Sequence, residues 1–347
     1  MNKAHTVLLV GDIVDDLNRS EDFTIFDEDN PTEEEVDKLE SYLVKAGYHV
    51  EVQNSVNDFV RDPPKNQGTI VFPLWRGGES RNRTVVIPAM CEALNLRYVG
   101  SDAFVQAICQ DKSFSKALAA LVGMEVPREI VLYTPNELRN FRPSSTLSFP
   151  LVLKPLFSAC SIGINTNSFC VSDSEAIAKA KELFDQNLGP VLCEEFIQGD
   201  EISVCYYENK GEIVEKCVSI YHDQNGICPF KDSLCTFEDK LNVTPPWSVS
   251  LWDGLLDEDV WNAIQLLTSK LGKVDYMRVD GRIRNGRFVL IELTPDIHLS
   301  LQSAFLGGFD KSGIPPDMLL DNIIKTSIGN MASEHFVLDF KKIDNDS

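Results

Sequence analysis

The stretch FPLVLKPLFSACSIGI, residues 149–164, carries an apolar run into one lysine and then into a loop of small residues. The apolar run reads as a buried strand with Lys154 at its end. Ser158, Ala159, Cys160, Ser161 and Gly163 would let the main chain approach a bound group closely. Consecutive N–H groups could then converge on phosphate oxygens while Lys154 supplies a point charge. The G-x-x-x-x-G-K-[ST] order of a Walker loop is absent. Taken alone, the stretch is equally a strand followed by a turn.

Three further features give it company. Lys112, in CQDKSFSKAL, falls in the first turn of a helix, where the dipole disfavours a cation unless an anion such as bound phosphate compensates. VLCEEFIQGDEISV (191–204) ends one strand in Glu194-Glu195 and opens the next at Glu201 after a Gly-Asp turn. Such a connector can read an adenine edge through its main chain and hold ribose hydroxyls with a carboxylate, or be a hairpin with exposed acids. In MRVDG and VLIELTP, Arg278 and Asp280 share one strand face and Glu292 and Thr294 share a face of the next. Paired carboxylates beside an arginine suit Mg²⁺ bridging of triphosphate oxygens, or form a structural ion pair.

Around these features, the first hundred residues alternate strands (6–11, 48–52, 68–74, 97–100) with helices (32–47, 84–96), predicting a parallel doubly wound sheet. Thr32 is the expected N-cap of the first helix, Gly47 its stop, and Val36, Leu39, Leu43 and Val44 its apolar face. The acidic stretch DIVDDLNRSEDFTIFDEDNP (12–31) reads as an exposed loop. A helix at 110–123, strands near 130 and 150, and a helix at 172–186 follow. The remainder is strand-rich, closing in two strands joined through the Asn-Gly of RNGR as an antiparallel hairpin. The expected domains are 1–106, 107–190 and 191–330, with a polar tail at 331–347.

The order of these motifs resembles the D-alanine–D-alanine ligase family of ATP-grasp enzymes, from about Val71 to Ile324. The resemblance implies an α/β chain, α+β in its C-terminal part: an ATP-grasp fold behind an N-terminal Rossmann-like substrate domain, with 107–190 as the lid. It places Lys112 (in GSDAFVQAICQDK) and Lys154 on the ATP phosphates, with Ser161 in the loop closing over the nucleotide. Adenine contacts fall to Glu194, Glu195 and Ile197, largely through the backbone, and ribose contacts to Glu201. Asp280, Glu292 and Thr294 become the Mg²⁺ ligands, with Asp296 as an alternative because Thr294 stands where the family has asparagine. Arg278 faces the acyl phosphate, and Lys231 is the candidate lysine of the 223–250 loop.

The family's substrate loop corresponds to WRGGESRNR (75–83), which makes Trp75, Arg76 and Glu79 substrate residues. Three arginines here (76, 81 and 83) suggest an acidic or carboxylate-bearing substrate, against the simpler reading of a solvated loop. The implied activity is ADP-forming carboxylate–amine ligation with ATP and Mg²⁺, on amino acids other than D-alanine. The alternatives are an impaired, ATP-binding regulatory homologue and an ATP-grasp kinase. A homodimer through the N-terminal domain is the family's usual assembly.

The whole 347-residue chain carries a net charge of -21, which argues against nucleic-acid and anionic-membrane partners. Nine cysteines without a CxxC pair predict reduced thiols in a cytoplasm, with neither disulfides nor a zinc site.

Overall fold

The computed structural model describes residues 5–15, 24–66, 68–240 and 246–330; the expected polar tail and residues 16–23 of the acidic 12–31 stretch lie outside them. The chain begins with β1 (Thr6–Val10), α1 (Glu33–Lys45), β2 (His49–Gln53), α2 (Val56–Arg61), β3 (Thr69–Pro73), α3 (Val86–Ala93) and β4 (Arg97–Tyr98). The four strands form a parallel sheet in the order β2-β1-β3-β4.

The strand pleat explains the two cores. Val7 and Leu9 of β1 point to one side, against Val36, Leu39 and Leu43 of α1, whereas Leu8 and Val10 meet Val56, Phe59 and Ile87 on the other. The cap of α1 forms as expected: the Thr32 hydroxyl accepts from Glu35 N, and Glu35 Oε2 accepts from Thr32 N. Gly47 takes φ +96 just beyond the helix. Val44 departs from the expected apolar face and is exposed, one step round the helix. The helix expected at 84–96 is shorter, since residues 83–85 form a 3₁₀ turn.

Two helices then run end to end, α4 (Ala103–Gln110) and α5 (Lys112–Leu121), with Asp111 capping the second through Ser113 N and Phe114 N. The first was not expected. Its presence puts the 106/107 boundary inside a helix. A lid follows, made of β5 (Glu129–Leu132), β6 (Leu151–Pro155), β7 (Phe169–Cys170), α6 (Asp173–Asp185) and β8 (Val191–Glu195). Its antiparallel sheet runs β5-β8-β6-β7. β8 pairs with both β5 and β6, so the expected 190/191 boundary falls between β8 and the rest of its sheet.

The rest comprises β9 (Asp200–Asn209), β10 (Glu212–Asp223), α7 (Phe237–Lys240), β11 (Trp247–Leu251), α8 (Glu258–Leu271), β12 (Tyr276–Arg284), β13 (Arg287–Thr294), α9 (Ala304–Lys311) and α10 (Pro316–Asn330). The large sheet is ordered β11-β10-β9-β12-β13, antiparallel throughout. The β12–β13 hairpin turns on Asn285 and Gly286, both with positive φ, as a two-residue type I′ turn requires.

Leu319, Leu320, Ile323 and Ile324 of α10 pack into the same core as α1 and β1. The last helix therefore locks the N-terminal sheet to the C-terminal one. No helix among the described residues is long and apolar enough to cross a membrane.

Candidate active site

A cavity of ≈ 410 Å³ opens between the lid and the large sheet, and a second of ≈ 100 Å³ adjoins it. Lys154, Cys160, Ser161, Arg278, Glu292, Thr294 and Asp296 line both. The fold reaches this arrangement by putting one lysine on a strand of the lid, another at a helix start and two acids on a β-ladder.

Lys154 leaves β6 beside β8, and its Nζ lies 2.6 Å from Glu194 Oε1. Lys116 of α5 contacts the other Glu194 oxygen and also Glu129. Burial raises the Glu194 pKa, but Lys116 and Lys154 outweigh it and bring the carboxyl down to about 2. Lys112 donates to Ser158 O, and its Nζ is 3.0 Å from Glu292 Oε1. That partner resolves the unfavourable placement of Lys112 at a helix start. Burial lowers the Lys112 pKa; burial also raises that of Glu292, which Lys112 and Lys154 hold below the usual carboxylate range.

The loop after Lys154 folds back on itself. Cys160 and Ser161 adopt φ +52 and +56, and Gly163 +78. A Cβ on Gly163 would come within 2.8 Å of Pro155 Cγ, so this turn requires glycine. The Ser161 hydroxyl donates to Cys235 O at 2.9 Å, tying the loop to the 223–250 segment.

On the opposite wall Asp280 faces Glu292 across the β12–β13 ladder, and Arg278 faces Thr294. Arg278 Nε lies 2.9 Å from both Asp280 oxygens. Asp280 also accepts from Ser203 Oγ at 2.6 Å and Thr294 Oγ1 at 3.3 Å. Asp296 lies in the cavity wall beyond Thr294, and burial with the charge of Asp29 raises its pKa. Asp280, Glu292 and Asp296 all line the larger cavity with carboxylate oxygens, the donor type that Mg²⁺ takes.

At the other end, Glu195, Phe196, Ile197 and Glu201 line the larger cavity with Val152, Phe230, Ile291 and Trp247. Every expected adenine or ribose carboxylate here is already committed: Glu194 to the lysines, Glu195 to Arg128, Glu201 to Arg282 at 2.6 Å. Their main chain is engaged as well: Glu194 pairs with Glu129 and Val152 across the lid sheet, and Glu195 N donates to Arg128 O.

Four expected residues do not reach the cavities as anticipated. Lys231 is exposed, 3.9 Å from Asp200, and lines neither cavity; Lys240, at the end of α7, lines both. Glu79 is exposed and lines neither. Trp75 and Arg76 border only a separate ≈ 20 Å³ void. The Arg76 guanidinium is spent on the main chain, with Nε donating to Asp29 O at 2.8 Å and Nη1 to Ile297 O at 3.5 Å. Arg83 likewise donates to Arg76 O at 2.6 Å and Phe157 O at 3.1 Å, and Arg81 stacks over Phe157. Arg76 and Arg83 therefore brace loops, whereas Arg81 is exposed.

In their place the structure brings Asp29, Glu35, His298, Ser300, Gln302 and Ser303 to the cavity. The acidic stretch was read as exposed, yet Asp29 and Asn30 are buried, Asn30 Oδ1 accepting from Arg76 N and Gly77 N. No motif marks these residues, because they converge from segments about 270 positions apart.

Comparison with known proteins agrees with this architecture. A D-alanine–D-alanine ligase from Bacillus anthracis is 28% identical over 245 residues, covering 71% of this chain and 76% of its own. One from Thermotoga petrophila is 27% identical over 296 residues, covering 84% and 90%. The crystal structure of the Bacillus anthracis D-alanine–D-alanine ligase complexed with ATP superposes with a TM-score of 0.70 at 20% identity, covering 94% of this chain and 99% of that one. The VanG D-Ala:D-Ser ligase of Enterococcus faecalis gives 0.64 at 16% identity, covering 94% and 100%. The family model of the D-ala D-ala ligase C-terminus matches residues 124–325, more than half of the chain. This protein is therefore a member of the D-alanine–D-alanine ligase family, an ATP-grasp ligase.

Proposed function

We propose that the protein joins a carboxylate to an amine at the expense of ATP, through an acyl phosphate, with Mg²⁺ as cofactor and an amino acid among its substrates. The observation that carries this reading is the convergence of Lys112, Lys154, Arg278, Asp280 and Glu292 on one end of a cavity large enough for a nucleotide and a small acid. Asp280 and Glu292, with Asp296 or Thr294, would hold Mg²⁺, which supplies charge neutralisation on the phosphates. Thr294 turns its hydroxyl onto Asp280, which favours Asp296 as the third ligand.

The chain's own part is positional and electrostatic. Lys112 and Lys154 lie where phosphate oxygens meet the small-residue loop. Their present partners, Glu292 and Glu194, stand opposite the two buried lysines where nucleotide oxygens would compete for them. Arg278, oriented by Asp280, faces the position where an acyl oxygen gains charge as the amine attacks. The loop's left-handed residues bring main-chain N–H groups close to the transferred group and exclude water from it.

Lys154→Ala and Glu292→Ala should each reduce amine-dependent ADP release about a hundredfold or more. Near-normal turnover in both would end this assignment. Product masses complete the test: an amide supports the ligase, and a phosphorylated acid that persists in the presence of amine supports a kinase instead.

A further inference from the structure

The wall formed by Asp29, Cys160 and His298 does work that the nucleotide end does not explain. Asp29 precedes α1, Cys160 sits in the left-handed turn of the lid loop, and His298 follows β13, so three separate parts of the chain meet here. One donor atom from each lies within 4.8 Å of the others. We propose that Asp29, Cys160 and His298 bind one divalent cation of the zinc class, distinct from the Mg²⁺ of the phosphate end.

Three observations converge on this. The first is an orphaned atom: Asp29 is only 3% exposed, and although His298 meets its Oδ1, its Oδ2 has no hydrogen-bond partner. A buried carboxylate oxygen left unpaired is costly, and a cation on the cavity side satisfies it. The second is spacing. His298 Nε2 stands 3.3 Å from Asp29 Oδ1, the separation of two donors each about 2.0–2.1 Å from a tetrahedral centre. The third is the support behind the histidine. Glu35 Oε2 caps α1 at Thr32 N, which aims Oε1 at His298 Nδ1, 3.4 Å away. A carboxylate behind a ligating imidazole fixes its tautomer and raises its basicity.

The donor chemistry chooses the metal. Thiolate, imidazole and carboxylate together disfavour Mg²⁺ and Ca²⁺ and favour Zn²⁺. Arg76 Nη2 lies 3.1 Å from Nδ1. With Nε2 on the cation, Nδ1 carries hydrogen and donates to Glu35, so the contact between Nδ1 and Arg76 Nη2, now two donors, has to open, while the guanidinium keeps its bonds to the carbonyls of Asp29 and Ile297. Charges then balance: two carboxylates and one thiolate against one guanidinium and a divalent ion. All three ligands face the larger cavity, so a fourth coordination position points at the substrate space. A bound cation would clamp the lid loop to the N-terminal domain there.

This inference stands apart from the ligase reading, since its readout is metal binding. The full chain, stripped with chelator, is titrated with Zn²⁺ against a chromophoric competitor and with Co²⁺ by absorption. One equivalent of Zn²⁺ per chain is expected, together with a thiolate-to-cobalt charge-transfer band. Cys160→Ser, a near-isosteric change, should abolish that band and weaken Zn²⁺ at least about tenfold, and Glu35→Gln should weaken it about 10–100-fold. Thermal melting of the metal-free variants establishes that they fold. Retention of the band and affinity in Cys160→Ser, or no Zn²⁺ held by the wild-type chain, overturns the proposal. So does an amine substrate protecting Cys160 from alkylation where Zn²⁺ does not.

Discussion

Replacing Glu194 by glutamine tests the electrostatic frame of the lid directly. Glu194 is 3% exposed and bridges two lysines that are themselves 1% and 5% exposed. Its carboxyl titrates at about 2 in the fold against an ordinary 4.5, which corresponds to about 3 kcal/mol favouring the charged form. Removing one partner of a buried ion pair generally costs about 3–5 kcal/mol, the same order. Glu194→Gln keeps the side-chain volume but leaves Lys154 without its carboxylate, and Lys116 with Glu129 alone.

The expected loss is about 3 kcal/mol, or about 6–12 °C in Tm for a cooperative unit of 150–250 residues. The sign with pH follows from linkage. A depressed carboxyl contributes stability that is fully present above its unfolded value near 4.5 and is lost as pH falls through about 2. Denaturant titrations of wild type and variant at neutral pH and at successively lower pH should therefore show a constant gap down to about 4.5 that narrows below it. A gap under about 1 kcal/mol at neutral pH, or one that does not change with pH, would refute the reasoning.

Other expectations follow from the same geometry. Lys240→Ala should slow ADP formation about a hundredfold, while Lys231→Ala should leave it within about twofold; the reverse order would restore the expectation from sequence. Asp296→Asn should raise the Mg²⁺ concentration for half-maximal ADP formation about tenfold, and Thr294→Ala should raise it less. If Thr294→Ala has the larger effect, Thr294 is the third ligand. Gly163→Ala should destabilise the lid by about 1–3 kcal/mol, because its φ is +78 and the new methyl meets Pro155; unfolding curves matching wild type would show that the turn relaxes.

Much of this protein is written along the chain. The apolar strands of the first hundred residues, the capping box at Thr32 and Glu35, and the Asn285-Gly286 turn are local, and local chemistry specifies them. Lys112, Lys154, Asp280 and Glu292 were legible because each falls at the end or on one face of a regular element, where direction follows from the pattern. The extent of the lid was not legible, because β8 reaches its place by pairing with strands about 40 and 60 residues earlier.

The cavity wall around Asp29, Cys160 and His298 was legible least of all. Arg76 looks free in sequence, and only the folded chain shows its guanidinium held by the carbonyls of Asp29 and Ile297. Asp29, Cys160 and His298 belong to three loops, and no periodicity links them. Sequence alone determined the strands, the caps and the elements that carry Lys112, Lys154, Asp280 and Glu292, which depend on neighbours a few positions away. Tertiary structure decided which charges are spent on the fold and which remain for a ligand, because those partners are chosen by packing across the whole molecule.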